Sequence, residues 1–424
     1  MPELHPTQSN DLIELELTTM AHGGSAIGRH EGRAIFVPYA IPGERITARI
    51  TQDKGRFAYA EGVMLLESSE ARVQPHCPHF GPKRCGGCHW QHIDYAAQLS
   101  FKQQIVVDQL MRIGGIAAPP VSAVLPSPLQ WQYRTHVTLH VTPDGQVGFF
   151  SADDQPQHIV PIQECHIIRP ELQDLLECLD LEALKGSNLS HIRLQVGTDG
   201  EERLIALSTL DDLPPSVEID LPLSVSFLAA DGRPQTLIGT GKVHYSIKGR
   251  TFQVTAGSFF QANLSLTEQL VDLVLARLAL QGKENVLELY SGVGLFTAFL
   301  AERAAFVTAV EGFPTAVDDA DSNLSDLSNV TLIEGLVEDV LPELDEPFDA
   351  AVLDPPRSGV EATALDALAA LSPPKIVYVS CDPATLARDA KRLLAKGYAL
   401  QDVQPLDMFP QTYHIEAVAT FMRA

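Results

Sequence analysis

The stretch Asn285-Val-Leu-Glu-Leu-Tyr-Ser-Gly-Val-Gly-Leu-Phe-Thr297 decides the fold. An apolar strand, residues 285–290, runs into a turn holding two glycines and then into a helix. Gly292 and Gly294 permit a tight turn and close approach of the backbone to a ligand. Thr297 stands where a dinucleotide fingerprint carries its third glycine, so the turn alone does not separate a ligand loop from an ordinary strand-to-helix connection. Downstream, apolar strands are expected at residues 306–311, 330–333, 350–353 and 376–380, with helical stretches between most of them. That alternation predicts a parallel α/β sheet.

Chemistry gathers at the ends of these strands. Glu311 closes the second, 19 residues after Gly292, where an acidic side chain can accept hydrogen bonds from ribose hydroxyls. Asp354 closes the fourth within Asp354-Pro-Pro-Arg357, and Cys381 closes the fifth within Ser380-Cys-Asp-Pro383. Ligands bind at the carboxyl ends of strands in open α/β sheets, so four polar features there outweigh any one of them. Cys381 precedes Asp and Pro, poor core residues, and a helix begins near Ala384. A thiol at a helix N-terminus is expected to have a lowered pKa, and we read Cys381 as a nucleophile.

Upstream the pattern changes. Residues 11–66 alternate as short strands, with Ile13, Leu15 and Leu17 and then Ile46, Ala48 and Ile50 on one face, and turns at Gly23-Gly24, Glu31-Gly32 and Pro42-Gly43. A small closed β-barrel is predicted. A Cys- and His-rich loop follows at 75–92, then a helix from Tyr95 to about Arg112. Strands return over 131–255, interrupted by one helix near 171–184.

The chain of 424 residues carries a formal net charge of −24, which argues against non-specific coating of nucleic acid. Residues 29–56 run the other way: Arg29, Arg33, Arg45, Arg49, Lys54 and Arg56 face only Glu31, Glu44 and Asp53. No apolar run is long enough to span a bilayer. The first eleven residues lack the pattern of a secretory signal, so the expected compartment is the cytoplasm.

Six cysteines occur, at 77, 85, 88, 165, 178 and 381. Cys77, Cys85 and Cys88 cluster in the loop, and Cys165 follows. Four soft ligands suggest a metal or cluster site, and zinc and an iron–sulfur cluster both fit four thiolates. His79, His89 and His92 add nitrogen alternatives for zinc. Cys178 has helical spacing and is read as a packing residue.

These motifs together resemble the RNA uracil-5-methyltransferases that use S-adenosylmethionine. The resemblance rests on Ser258-Phe-Phe-Gln-Ala-Asn263, the Gly292/Gly294 loop, Leu353-Asp-Pro-Pro-Arg357, Ser380-Cys-Asp-Pro383 and His414-Ile-Glu416. It covers nearly the whole chain, and the strand-rich N-terminus looks like the TRAM domain, an RNA-binding barrel. The resemblance implies that Cys381 is the nucleophile and Glu416 the general base. It implies that Gln261, Tyr290, Gly292, Gly294, Glu311 and Asp354 bind S-adenosylmethionine or the target base. It also implies a [4Fe-4S] cluster on Cys77, Cys85, Cys88 and Cys165. Leu295 and Gly335 stand where some members have polar side chains.

The expected architecture is therefore α/β plus β: a TRAM-like barrel (1–68), a β-rich central domain with the cluster loop (69–255) and a class I, Rossmann-like methyltransferase domain (256–424). The expected product is 5-methyluridine in a structured RNA, ribosomal RNA first and tRNA second, made by a monomer with no membrane partner. Two competitors differ in their demands. A methyltransferase acting on an exocyclic amine needs no Cys381. A non-catalytic RNA-binding or redox sensor needs neither Cys381 nor Glu416.

Overall fold

The computed structural model describes residues 12–152, 158–182, 184–218 and 220–424; the signal reading of the first eleven residues lies outside them. The first five strands are β1 (Leu12–Met20), β2 (Ala26–His30), β3 (Arg33–Val37), β4 (Arg45–Asp53) and β5 (Phe57–Glu67). They close in the order β1-β2-β3-β5-β4. Period-two alternation turns Ile13, Leu15 and Leu17 inward onto Ile35, Ile46 and Ala58. Five strands enclose a narrow interior, and alanines at 26, 48, 58 and 60 fill it. Gly28 is required where β1 and β2 meet, since a Cβ there would lie 2.9 Å from the Glu16 carbonyl oxygen.

The helix Tyr95–Arg112 is capped by the Asp94 carboxylate, which accepts from the Ala96 amide. Its buried stripe, Ile105, Val106 and Leu110, packs with Leu386, Ala390 and Leu393 of a later helix. The middle sheet comprises β6 (His136–Val141), β7 (Val147–Phe150), β8 (Ile159–Pro161), β9 (Leu189–Val196), β10 (Arg203–Thr209), β11 (Ser224–Leu228) and β12 (Pro234–Ile238). Their order is β12-β11-β10-β9-β6-β7-β8.

One face of that sheet is covered by the helix Pro170–Glu177 through Leu172, Leu175 and Leu176. This helix is shorter than the sequence suggested, and Cys178 is its exposed C-cap, not a packing residue. The buried stripe steps i, i+3, i+4 from Leu172, and position i+6 lies off it. A hairpin of β13 (Lys242–Ile247) and β14 (Arg250–Thr255) then leads to the helix Leu264–Leu278.

The last sheet contains β15 (Asn285–Leu289), β16 (Phe306–Glu311), β17 (Val330–Glu334), β18 (Ala350–Leu353), β19 (Lys375–Ser380), β20 (Tyr398–Leu406) and β21 (Glu416–Arg423). Their order is β17-β16-β15-β18-β19-β21-β20. β15 to β19 are parallel, and β21 is antiparallel to both β19 and β20. Adjacent residues feed cores on opposite faces: Val286 packs on one side, Leu287 and Leu289 on the other. The strand order reverses between β15 and β18, which opens a crevice at their carboxyl ends.

Candidate active site and cysteine cavity

The glycine loop sits at that crevice. Gly292 and Gly294 have φ of 56° and 85°, and Gly294 starts the helix Leu295–Ala301. A Cβ on Gly294 would approach Leu324 to 2.9 Å, whereas Gly292 faces open space. Tyr290 is also left-handed, at φ 63°. The Glu311 carboxylate braces the loop, accepting from the Gly292 amide at 2.8 Å and the Phe313 amide at 2.8 Å.

β18 and β19 deliver the next two groups. Asp354 follows β18 directly; burial and then the Glu311 charge raise its pKa to about 7. Cys381 follows β19. Glu416, 35 residues later in sequence, arrives because β21 runs antiparallel to β19 with Ser380 opposite Ala417. Glu416 is buried, 3% exposed, and its pKa stands well above the usual carboxylate range through burial and then Asp354, with Arg357 opposing.

The thiol of Cys381 departs from expectation. Its pKa is pushed up to about 12, by burial first and then by Glu416 and Asp354. The helix N-terminus does not offset this. Asp382 caps the helix Pro383–Ala395 itself, accepting from the Ala384 and Thr385 amides at 2.9 Å each. The free amide dipoles that would favour a thiolate already have a carboxylate.

Gln261 is buried on a segment tied to both neighbouring units. The Thr135 amide donates to the Ala262 carbonyl at 3.0 Å, and Asn263 donates to Ser127 at 3.0 Å and to the Met408 carbonyl at 3.2 Å. Phe260 stacks on Tyr245, while Phe259 is 62% exposed.

The segment between β20 and β21 is anchored from below. Lys102 and Asp407, both fully buried, meet at 2.5 Å, and Gln98 exchanges two hydrogen bonds with Gln411. The backbone amides of His89 and Trp90 donate to the Gln411 carbonyl at 3.0 and 2.9 Å, joining the cysteine loop to the segment that ends at Glu416.

Three features here were not foreseen. The barrel reaches the site: His22 lies 3.2 Å from Asp382, and the Trp90 indole donates to the Gly24 carbonyl at 3.1 Å. His414 is held neutral, its pKa lowered to about 3 by burial and then Arg357 and His89. Glu288, buried before the glycine loop, is raised to about 8 by burial. Only Glu288 had a local signal, as an acidic residue inside an apolar strand.

Cys77, Cys85, Cys88 and Cys165 line one cavity, with Phe80, Phe149 and Arg134 around them. All four are free thiols. Burial pushes each pKa up, Cys85 to about 12, and the neighbouring thiols add to the rise for Cys77, Cys85 and Cys88. Among the described residues, no group of three or more His, Cys, Asp or Glu is arranged to hold a single metal ion.

Comparison with known proteins places this geometry. Residues 341–423 match the tRNA (Uracil-5-)-methyltransferase family and residues 7–63 the TRAM domain. The chain is 36% identical, over 97% of its length and 94% of the relative's, to the 23S rRNA (uracil(1939)-C(5))-methyltransferase RlmD of Pectobacterium carotovorum. It is 35% identical to an uncharacterized RNA methyltransferase of Streptomyces avermitilis, over 96% of this chain and 97% of that one. Its fold is similar to that of Pyrococcus abyssi tRNA (uracil-54, C5)-methyltransferase in complex with S-adenosyl-L-homocysteine. The TM-score is 0.75 at 27% identity, covering 97% of this chain and 100% of that one.

Proposed function

The chain belongs to the RNA uracil-5-methyltransferase family, and on that premise we propose that it methylates C5 of a uridine in 23S ribosomal RNA through a covalent adduct at Cys381. It is an S-adenosylmethionine-dependent RNA methyltransferase. The observation that carries the mechanism is the β19–β21 register, which sets a thiol and a carboxylate side by side at the crevice where the glycine loop and Asp354 meet.

C5 of uracil is a poor nucleophile. The Cys381 thiol loses its proton to solvent, Sγ bonds to C6, and the electron pair moves onto the ring as an enolate. C5 then takes the methyl group, the sulfonium S–CH3 bond breaks, and S-adenosylhomocysteine is left. Glu416 removes the C5 proton, the C6–Sγ bond breaks with the electron pair going to Sγ, and the thiolate takes that proton back from Glu416 to regenerate the thiol. A raised carboxyl pKa suits that role, because it makes Glu416 a stronger base once ionised. The cationic sulfonium near Asp354 and Glu416 would favour their charged forms.

Gln261, Tyr290, Glu311, Asp354 and the glycine loop would hold the methyl donor. The exposed ring of Phe259 is placed to stack on an unstacked base. A ribosomal RNA substrate would put the enzyme in the cytoplasm.

The donor set around the second cavity fits a [4Fe-4S] cluster. Four cysteines lining one cavity are the donor set such a cluster takes. Cys77, Cys85, Cys88 and Cys165 would hold it, and it would supply rigidity to the loop that braces Gln411.

The test uses ribosomal and transfer RNAs transcribed with 5-fluorouridine. Fluorine at C5 cannot leave as a proton, so a methylated protein–RNA adduct at Cys381 should accumulate on ribosomal RNA. An adduct on transfer RNA alone moves the substrate. Methyl transfer to unmodified RNA with no adduct on either analogue overturns the covalent mechanism.

A further inference from the structure

The polar face of the middle sheet holds cations that the protein does not neutralise. β6 and β9 lie side by side, with Thr138 opposite Arg193 and His136 opposite Gln195. Alternation sends Ile192, Leu194 and Val196 under the covering helix and turns Arg193 and Gln195 to the other face. There Arg193 keeps Nε and Nη2 shielded from water without a hydrogen-bond partner, and Arg134 Nε and His136 Nδ1 are in the same state. The titratable groups acting on Arg193 are the Tyr245 phenol and Arg134, with no carboxylate among them. Nearby arginines are answered: Arg203 on β10 meets Asp174 at 3.6 Å, and Arg169, at the start of the covering helix, meets Glu171 at 2.6 Å. A shielded guanidinium without an anion is costly, and among the described residues Arg193 makes no ion pair.

Its place in the fold says what the anion is. Arg134 precedes Thr135, which bonds to the segment carrying Gln261, and its charge reaches His414. In the other direction the same face opens onto a ledge of rings. Phe150, 39% exposed, lies 3.9 Å from His140 in ring-centroid distance, and His140 lies 4.6 Å from His191. A fork of guanidinium donors matches a phosphodiester, and rings beside it suit bases.

We propose that Arg193 and Arg134 form a clamp for a backbone phosphate of the RNA, next to the nucleotide that enters the active site. The proposal rests on the reading of the chain as an RNA methyltransferase and names where it grips its substrate. Arg134 also lines the cysteine cavity, where it would balance thiolate charge; Arg193 does not line it. Arg193 therefore carries the test.

Full-length protein with its cluster is titrated against 23S ribosomal RNA over a series of KCl concentrations, as wild type, Arg193→Gln and Arg193→Lys. Arg193→Gln should weaken binding about tenfold and lower the salt slope by about one. The effect should fall on KM for RNA more than on kcat, and Arg193→Lys should recover part of the affinity. S-adenosylhomocysteine affinity should match wild type, and the melting temperature should equal or exceed it. An unchanged slope and affinity in Arg193→Gln overturns the clamp, and so does a loss that comes with a lower melting temperature. Wild-type protein that does not bind the RNA at all defeats the ribosomal-substrate reading instead, and the clamp with it.

Discussion

Two sets of cysteines in this chain are kept protonated, and they differ in what surrounds them. Cys381 lies among carboxyls, with Glu416 and Asp354 adding to the effect of burial. The cavity thiols lie chiefly among one another and apolar rings, with Arg134 and Glu164 also in the lining. Neither environment makes a thiolate by itself. On the proposed reading each would become reactive through what binds: a cationic methyl donor at Cys381, and a cluster at the other four. A cysteine at a helix start in an acidic protein is thus poised rather than pre-ionised.

The comparison breaks most sharply at the two cysteine sets themselves. Cys381→Ala should lower methyl transfer by about 10⁴-fold or more while leaving the melting temperature and S-adenosylhomocysteine affinity near wild type. Cys88→Ser should do the reverse in kind. It should strip iron and visible absorption and cost roughly 2–4 kcal/mol of stability, measured by denaturant unfolding. Loss of stability in the first variant, or none in the second, would erase the distinction.

A pH series sharpens the electrostatic side. Glu288 and Asp354 titrate in the folded protein at about 8 and about 7, against 4.5 and 3.8 for free groups. Folded pKa values above the unfolded ones mean the stabilisation is complete below about pH 4 and fades as pH rises through 7 to 8. Ligand-free protein should therefore lose roughly 2–3 kcal/mol between about pH 6 and pH 8.5 from Glu288 alone. Glu288→Gln should flatten that part of the slope. An identical slope in the variant would place the titration elsewhere.

The smallest effect concerns the thiol directly. Alkylation of Cys381 in ligand-free protein should rise with pH without a plateau below about pH 10, given its pKa of about 12. Bound S-adenosylmethionine should speed it about tenfold at fixed pH, the effect of one pKa unit, if the thiol stays accessible. Mass mapping of the alkylated peptide separates Cys381 from exposed Cys178.

The five parallel strands were legible because strands buried on both faces read as continuous apolar runs. The barrel was legible for the opposite reason, since Ile13, Leu15 and Leu17 alternate with polar neighbours. The residue pattern of 398–423 does not mark the antiparallel pair β20 and β21, and Glu416 is legible only through the family motif. What brings Glu416 to Cys381 is a register between β19 and β21, and nothing local to either residue encodes it. The Cys381 environment was misjudged for the same reason: helix position is local, while Glu416 and Asp354 come from other strands. The contact of His22 with Asp382 likewise joins residues 360 positions apart.

The most direct measurement is mass spectrometry of Glu416→Gln after reaction with S-adenosylmethionine and natural ribosomal RNA. Without the carboxylate the C5 proton stays, so a methylated uridine should remain attached to Cys381, while Glu416→Gln combined with Cys381→Ala should show no adduct. Free 5-methyluridine released at the wild-type rate by Glu416→Gln, with no bound intermediate, would contradict the pairing of this thiol with this base.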